Sequence, residues 1–281
     1  MRKWAIGAAV LALASFPVRP APGQTPGTSA PTTTDEVKAA SIPRLADGHP
    51  DLQGLWHNDS GYQAAMANMR NANGNLAVAL GDFHGAGFPL PLPYLPIAEK
   101  VKDYRNLHDP YHDPEAHCHI PGVPREIEQP TSLFPVQIIQ DEKNVVLLFE
   151  YAHDVRIIPE DDSSHPKHYW TWDGDSRGHW EGNTFVVDVA NFNGRAWLDM
   201  EGNFVDENEH VVERYTMVDP NAIEYSATVE DPTVFTRPWT LHLTLKRNPP
   251  KEQIVYYDCH EGERDVQHYT RSEGNKANKH E

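Results

Sequence analysis

Apolar and polar positions alternate with a period of two along most of the chain after Phe134, and that period predicts strands. Short β-rich runs recur at 134–140, 144–158, 168–172, 183–190, 209–218, 221–230, 239–247 and 253–259. Val, Ile, Tyr, Phe, Trp and Thr dominate them, and Asp-Gly, Glu-Gly-Asn and Asp-Pro-Asn mark the turns between. The connections leave no room for helical crossovers, so neighbouring strands pair antiparallel. The fold class is mainly β: an antiparallel, lipocalin-like barrel or a two-sheet sandwich.

Three runs assign faces. In 239–247, Trp239, Leu241, Leu243 and Leu245 share the core side, and His242 falls on the wet side. In 144–158, Val145, Leu147, Phe149 and Tyr151 share one face, Val146 and Leu148 the other; two apolar faces predict a central strand. Glu150 follows Leu148 on that second face, and Asp154 and Arg156 continue it if the strand is unbroken. In 209–218, Glu213 sits among Val211, Tyr215 and Met217, with His210 and Arg214 opposite.

Before residue 134 the regular period is lost. Arg2 and Lys3 precede a short apolar run (4–16) and a Pro/Ala/Gly segment, the order of a cleavable secretory leader over 1–24. The protein is therefore expected in the periplasm or outside the cell, with no membrane insertion after cleavage. Residues 25–41 read as a disordered linker, and 42–281 as one β-rich domain: a loop-rich cover (42–133) over an antiparallel core (134–260). Short helices are expected at 62–72 and 96–104, the latter with proline at its first position. Between them GDFHGAGFPLPLP reads as a loop, and 106–133 is irregular, with five prolines and His108, His112, His117, Cys118 and His119.

Charge narrows the partners. The full chain carries −17, and −20 once the leader's three cations are removed, which disfavours nucleic acid and anionic membranes. Cys118 and Cys259 are the only cysteines, and an exported pair predicts one disulfide. The alternative is a thiolate ligand or nucleophile beside His117 and His119.

Candidate chemistry follows from the faces. A carboxylate on an apolar face must be paired, protonated or used. Glu150 and Glu213 are thus candidate bases, His165 and His210 proton partners, and Arg156 and Arg214 anion stabilisers. The structural alternatives are a Glu150–Arg156 pair and a Glu213 hydrogen-bonded to a core Tyr or Trp. Residues 165–199 add Trp172, Trp180 and Trp197 as aromatic walls, with Asp175, Arg177 and His179 in a turn between the first two. These five, Trp172, Asp175, Arg177, Trp180 and Trp197, are candidate substrate contacts; the alternative is core tryptophans flanking a solvated turn. Sixteen histidines invite a metal reading, but neither His117-Cys-His119 nor His165-Pro-Lys-His168 has a standard zinc spacing. Neither a metal nor a dissociable organic cofactor is expected.

Several segments carry a family signature: PRLADGHPDLQGLW (43–56), CHIPGVPR (118–125), LFEYAHDVR (148–156), WDGDSRGHWEGNTFVVDVANFN (172–193), HVVERY (210–215) and DPTVFTRPWT (231–240). On these the chain resembles a family of uncharacterised exported bacterial β-rich proteins over nearly its full length from residue 43. The resemblance implies no activity. It places Cys118 and Cys259 at family positions, in agreement with a disulfide, whereas His117 and His119 are particular to this chain. The leading expectation is an exported enzyme acting on a small, partly apolar molecule by carboxylate/histidine acid–base chemistry: elimination, hydration or isomerisation. The alternatives are a non-catalytic small-molecule-binding protein and a metal-dependent hydrolase or oxygenase using clustered histidines.

Overall fold

The computed structural model describes residues 42–58, 89, 91–108, 112–128, 134–161, 163–199, 202–257 and 259. The leader, the linker, the expected helix at 62–72, most of the GDFHGAGFPLPLP loop and the His108 side chain lie outside the described residues.

Nine strands form one sheet. They are β1 (Gly54–Asn58), β2 (Val136–Gln140), β3 (Asn144–Phe149), β4 (Val155–Pro159), β5 (Asp175–Glu181), β6 (Thr184–Ala190), β7 (His210–Asp219), β8 (Ala222–Glu230) and β9 (Trp239–Arg247). Their order is β4-β3-β2-β1-β9-β8-β7-β6-β5, every pair antiparallel. The sheet curls into a nearly closed, lipocalin-like barrel. Among the described residues two short α-helices accompany it, α1 (Pro96–His108) and α2 (Arg125–Glu128). α1 starts at the expected proline and runs four residues past the expected end.

The alternation expected for β7 and β9 is the alternation observed. Val211, Glu213, Tyr215 and Met217 face inward, as do Trp239, Leu241, Leu243 and Leu245. The interior is filled by large side chains, among them Trp56, Phe185, Tyr215 and Tyr225. Burying each is worth about 1.5–3 kcal/mol.

Four expectations need correction. The run 144–158 is not one strand. It turns back on itself through Tyr151–His153, where Ala152 (φ 57°) and His153 (φ 53°) adopt left-handed backbone, and Leu148 pairs with Val155. Residues 175–181 are a strand, not a turn. Their inward positions, Ser176 and Gly178, are small, so no apolar alternation reveals them. The reason is steric: a Cβ on Gly178 would lie 2.3 Å from Phe185 Cζ and 2.9 Å from Ile158 Cγ2 of β4. The barrel's two edge strands meet there, and only glycine admits the approach. Residues 253–257 join no ladder, and 168–172 contribute a single bridge, Thr171 to Phe192.

Cys118 and Cys259 form the expected disulfide, with a Cα separation of 5.5 Å across 141 residues. It ties the cover to the chain beyond β9. Loop-closure entropy puts such a bridge at about 4–5 kcal/mol. A Cys118→Ala/Cys259→Ala variant should therefore lose about 2–5 kcal/mol in urea unfolding, and unreduced, unfolded wild type should titrate no thiol. Two reactive thiols per chain would contradict the bridge.

Candidate functional site

Arg156 points inward from β4 and is 4 % exposed. A buried guanidinium requires anionic partners, and it has two. Its Nη2 pairs closely with Glu213 Oε2 of β7, and its Nη1 lies 3.3 Å from Glu213 Oε1 and 2.8 Å from Glu126 Oε1 of α2. Nη2 also donates to Ser176 Oγ of β5 at 3.0 Å. Glu213 Oε1 accepts from both the Tyr215 and Tyr225 hydroxyls at 2.9 Å. Burial and then the Glu213 charge push both phenols well above their ordinary range, so they donate and do not ionise. Glu213 is fully buried and its hydrogen bonds are filled by protein groups.

Beside this network three acids converge. Glu126 comes from α2, Asp154 from the β3–β4 connection and Asp173 from the loop before β5; each offers an oxygen within 4.8 Å of the others. Glu126 Oε2, Asp154 Oδ2, Asp173 Oδ1 and Arg156 Nε are buried without hydrogen-bond partners. Burial, then the charge of Asp173, drives the Glu126 carboxyl well above its ordinary range despite Arg156. Burial, then the charge of Asp154 and a hydrogen bond with it, does the same to Asp173. With Glu213, four acids face one guanidinium.

A second polar cluster lies on the outer face of β5, β6 and β7. His165 places Nδ1 2.7 Å from Asp175 Oδ2 and Nε2 2.7 Å from Asp188 Oδ1. His210 Nε2 lies 3.1 Å from Asp188 Oδ2, and Arg177 Nη2 3.1 Å from Asp175 Oδ2. Burial works against ionisation of Asp188, but the hydrogen bonds from His165 and His210 outweigh it and hold the carboxyl below its ordinary range.

The sequence candidates thus fall in separate places. Arg156 and Glu213 meet inside the barrel, while His165 and His210 meet outside it. Arg214 pairs with Glu181 on the surface at 2.6 Å. Glu150 does not pair with Arg156; its Oε2 accepts the Val255 amide at 2.9 Å. The aromatic candidates also separate. Trp172 stacks on His119, Trp180 stacks on His49 and donates to Glu160, and Trp197 lies under Arg105. Asp175 and Arg177 belong to the outer cluster. Among the described residues, the close-set group of potential metal ligands contains no histidine. Glu126 lies in a one-turn helix and Asp173 in a loop, so no strand period assigns a face to either.

A groove of about 300 Å³ opens near the inner cluster. It is lined by Leu148, Phe149 and 153–155 of the β3–β4 hairpin and by 254–256. Val155, Val255 and Tyr256 are more than half exposed there. Asp154 belongs both to this lining and to the acidic trio.

Two predictions follow from these clusters. Glu213→Gln removes the main partner of a buried guanidinium and should cost about 3–5 kcal/mol in denaturant unfolding. An unchanged midpoint would show that Arg156 does not depend on Glu213. Asp188 has a depressed carboxyl pKa in the folded state, so its contribution is present above the unfolded value near 4 and lost as pH falls through the folded value. The Tm gap between wild type and Asp188→Asn should be open at about pH 5–6 and shrink as pH falls below about 4. A gap independent of pH would remove the ionic role. Comparison of the chain with protein-family models, with curated proteins and with solved structures found no match to any.

Proposed function

We propose that this chain is an exported binding protein for a small, largely apolar molecule, seated in the groove between the β3–β4 hairpin and residues 254–256. The observation that carries the reading is the groove itself: apolar side chains left open to solvent around a concavity at the lower end of ligand-site volumes. Its far wall is anchored at two points, by Glu150 to the Val255 amide and by the disulfide at Cys259. The disulfide also supports an oxidising compartment, as the basic and apolar start of the chain does. Membership of the exported β-rich family is part of the same reading and rests on the segments quoted above.

Acid–base catalysis by Glu213 has less support. That carboxylate is sealed from solvent and occupied by Arg156, Tyr215 and Tyr225, and the two candidate histidines lie on the opposite face of the sheet. A second reading, a metal-dependent hydrolase, is favoured by the acidic trio beside the groove, with carboxylates taking the place of histidines as ligands.

The test is a fluorescence titration with an uncharged apolar probe, N-phenyl-1-naphthylamine. Wild type should bind one equivalent saturably. Val155→Asp and Tyr256→Ala should each weaken binding about tenfold, which corresponds to about 1.4 kcal/mol. Ile97→Asp, on the exposed side of α1, should leave it unchanged. Absence of saturable binding, or groove variants that bind like wild type, would sink the proposal.

A further inference from the structure

The geometry points to a single site for a hard divalent cation, Ca²⁺ before Mg²⁺, on the carboxylates of Glu126, Asp154 and Asp173. This goes beyond ligand binding in the groove and does not depend on it.

The three acids come from three separate parts of the chain, so no local turn accounts for their convergence. Acids gather on protein surfaces without consequence, but here Glu126 is buried, and Asp154 and Asp173 each have one oxygen closed off from solvent. The Glu126 side chain is 2 % exposed, and its Oε2 has no partner. Asp154 Oδ2 and Asp173 Oδ1 are in the same condition. An unmet buried acceptor costs about 1–3 kcal/mol, more when charged. The nearby cation that could neutralise them, Arg156, already spends both terminal nitrogens on Glu126 Oε1, Glu213 and Ser176.

A proton, a buried water or a cation could relieve such a cluster, and a water leaves the gathered negative charges uncompensated. A proton shared between Asp173 and Asp154 satisfies one pair of oxygens and leaves Glu126 Oε2 unmet. A cation meets all three acids at once. The donor set decides its class: oxygen only, anionic, without imidazole or thiolate, which suits Ca²⁺, Mg²⁺ or Mn²⁺ and not Zn²⁺ or Cu²⁺. Size decides further. Oxygens across a Ca²⁺ sphere stand about 5 Å apart and across a Mg²⁺ sphere about 4 Å. All three oxygens lie within 4.8 Å of one another, inside the span of a Ca²⁺ sphere, and the larger ion with its flexible geometry asks less of their exact placement.

Three protein ligands leave three or more positions of a Ca²⁺ sphere open. Because Asp154 also lines the groove, those positions adjoin it. Resting on the groove reading, the ligand is then an apolar molecule that ends in a carboxylate or phosphate, its tail in the groove and its oxygens on the ion.

The experiment uses full-length protein stripped with chelator, then calorimetric titration and thermal melting with CaCl₂ alone, against KCl of equal ionic strength. Wild type should bind one Ca²⁺ with a Kd of about 10⁻⁴–10⁻³ M, and its Tm should rise with Ca²⁺ but not with KCl. Asp173→Asn should bind at least ten times more weakly and lose the Ca²⁺-dependent rise. Its metal-free Tm should equal or exceed that of wild type, because one repelling acid is gone. Glu126→Gln provides the same reading if Asp173→Asn fails to fold. No saturable heat in wild type, or an undiminished Ca²⁺ response in a folded variant, overturns the site; tighter Zn²⁺ than Ca²⁺ overturns the hard-cation assignment. Titration of Asp173→Asn with N-phenyl-1-naphthylamine separates the two proposals. Retained probe binding with lost Ca²⁺ binding is expected in that variant, and wild type that binds Ca²⁺ but not the probe strikes the groove alone.

Discussion

The structure depends on one buried guanidinium. The curled sheet ends in two edge strands, β4 and β5, that share no ladder. An open edge is a row of unpaired backbone groups and invites association with other chains. Here the edges are brought together by side chains. Arg156 from β4 reaches Ser176 on β5, Glu213 on β7 and Glu126 on α2. Such a pair adds little net stability over a well-packed apolar core, because desolvation offsets most of the attraction. It contributes address instead. A lone arginine inside a barrel tolerates few arrangements, and the one adopted sets β4 against β5 and ties α2 to the barrel through Glu126. The close contact at Gly178 then completes the seam without hydrogen bonds between backbones.

The N-terminal cover follows the same principle of ionic address. Arg125, 2 % exposed, binds Asp113 through both terminal nitrogens, at 2.9 and 2.8 Å, and pairs with Glu115. It also approaches the Trp197 carbonyl at 3.4 Å. Short helical turns that lie outside the sheet are thereby fixed by charge where they lack a ladder. The adjacent Glu126 faces the barrel interior, so neighbouring residues of α2 serve the cover and the core respectively.

Much of the barrel is legible in the sequence, and the illegible parts share a cause. Strands β7 and β9 alternate because one side meets the core and the other meets water, so Glu213 and His242 could be placed on their faces from spacing alone. Strand β5 breaks that relation, because Ser176 and Gly178 are small where the seam is tight. The turn after β3 carries Ala152 and His153 in left-handed backbone instead of glycine or asparagine, so no turn residue marks it. Residues 253–257 have strand composition, yet they are held by Glu150 and the disulfide instead of a neighbour. Glu126 and Asp173 lie where periodicity has nothing to say. The disulfide was legible for a different reason: a sequence with two cysteines leaves one intramolecular pairing.

The place of β1 has a consequence for how the molecule is made. Trp56 pairs with Val136 on one side and with Arg247 on the other, so the first strand lies between β2 and β9. Nearly two hundred residues separate Trp56 from that second partner. The sheet is interrupted at its middle until the last strand has been synthesised, and contacts this remote in sequence form slowly. Shorter lengths of chain hold two incomplete sheets, each with an open edge where the missing strand belongs. A polypeptide of this topology cannot join the two halves of its sheet until β9 is available, and its folding is gated by the synthesis of that strand.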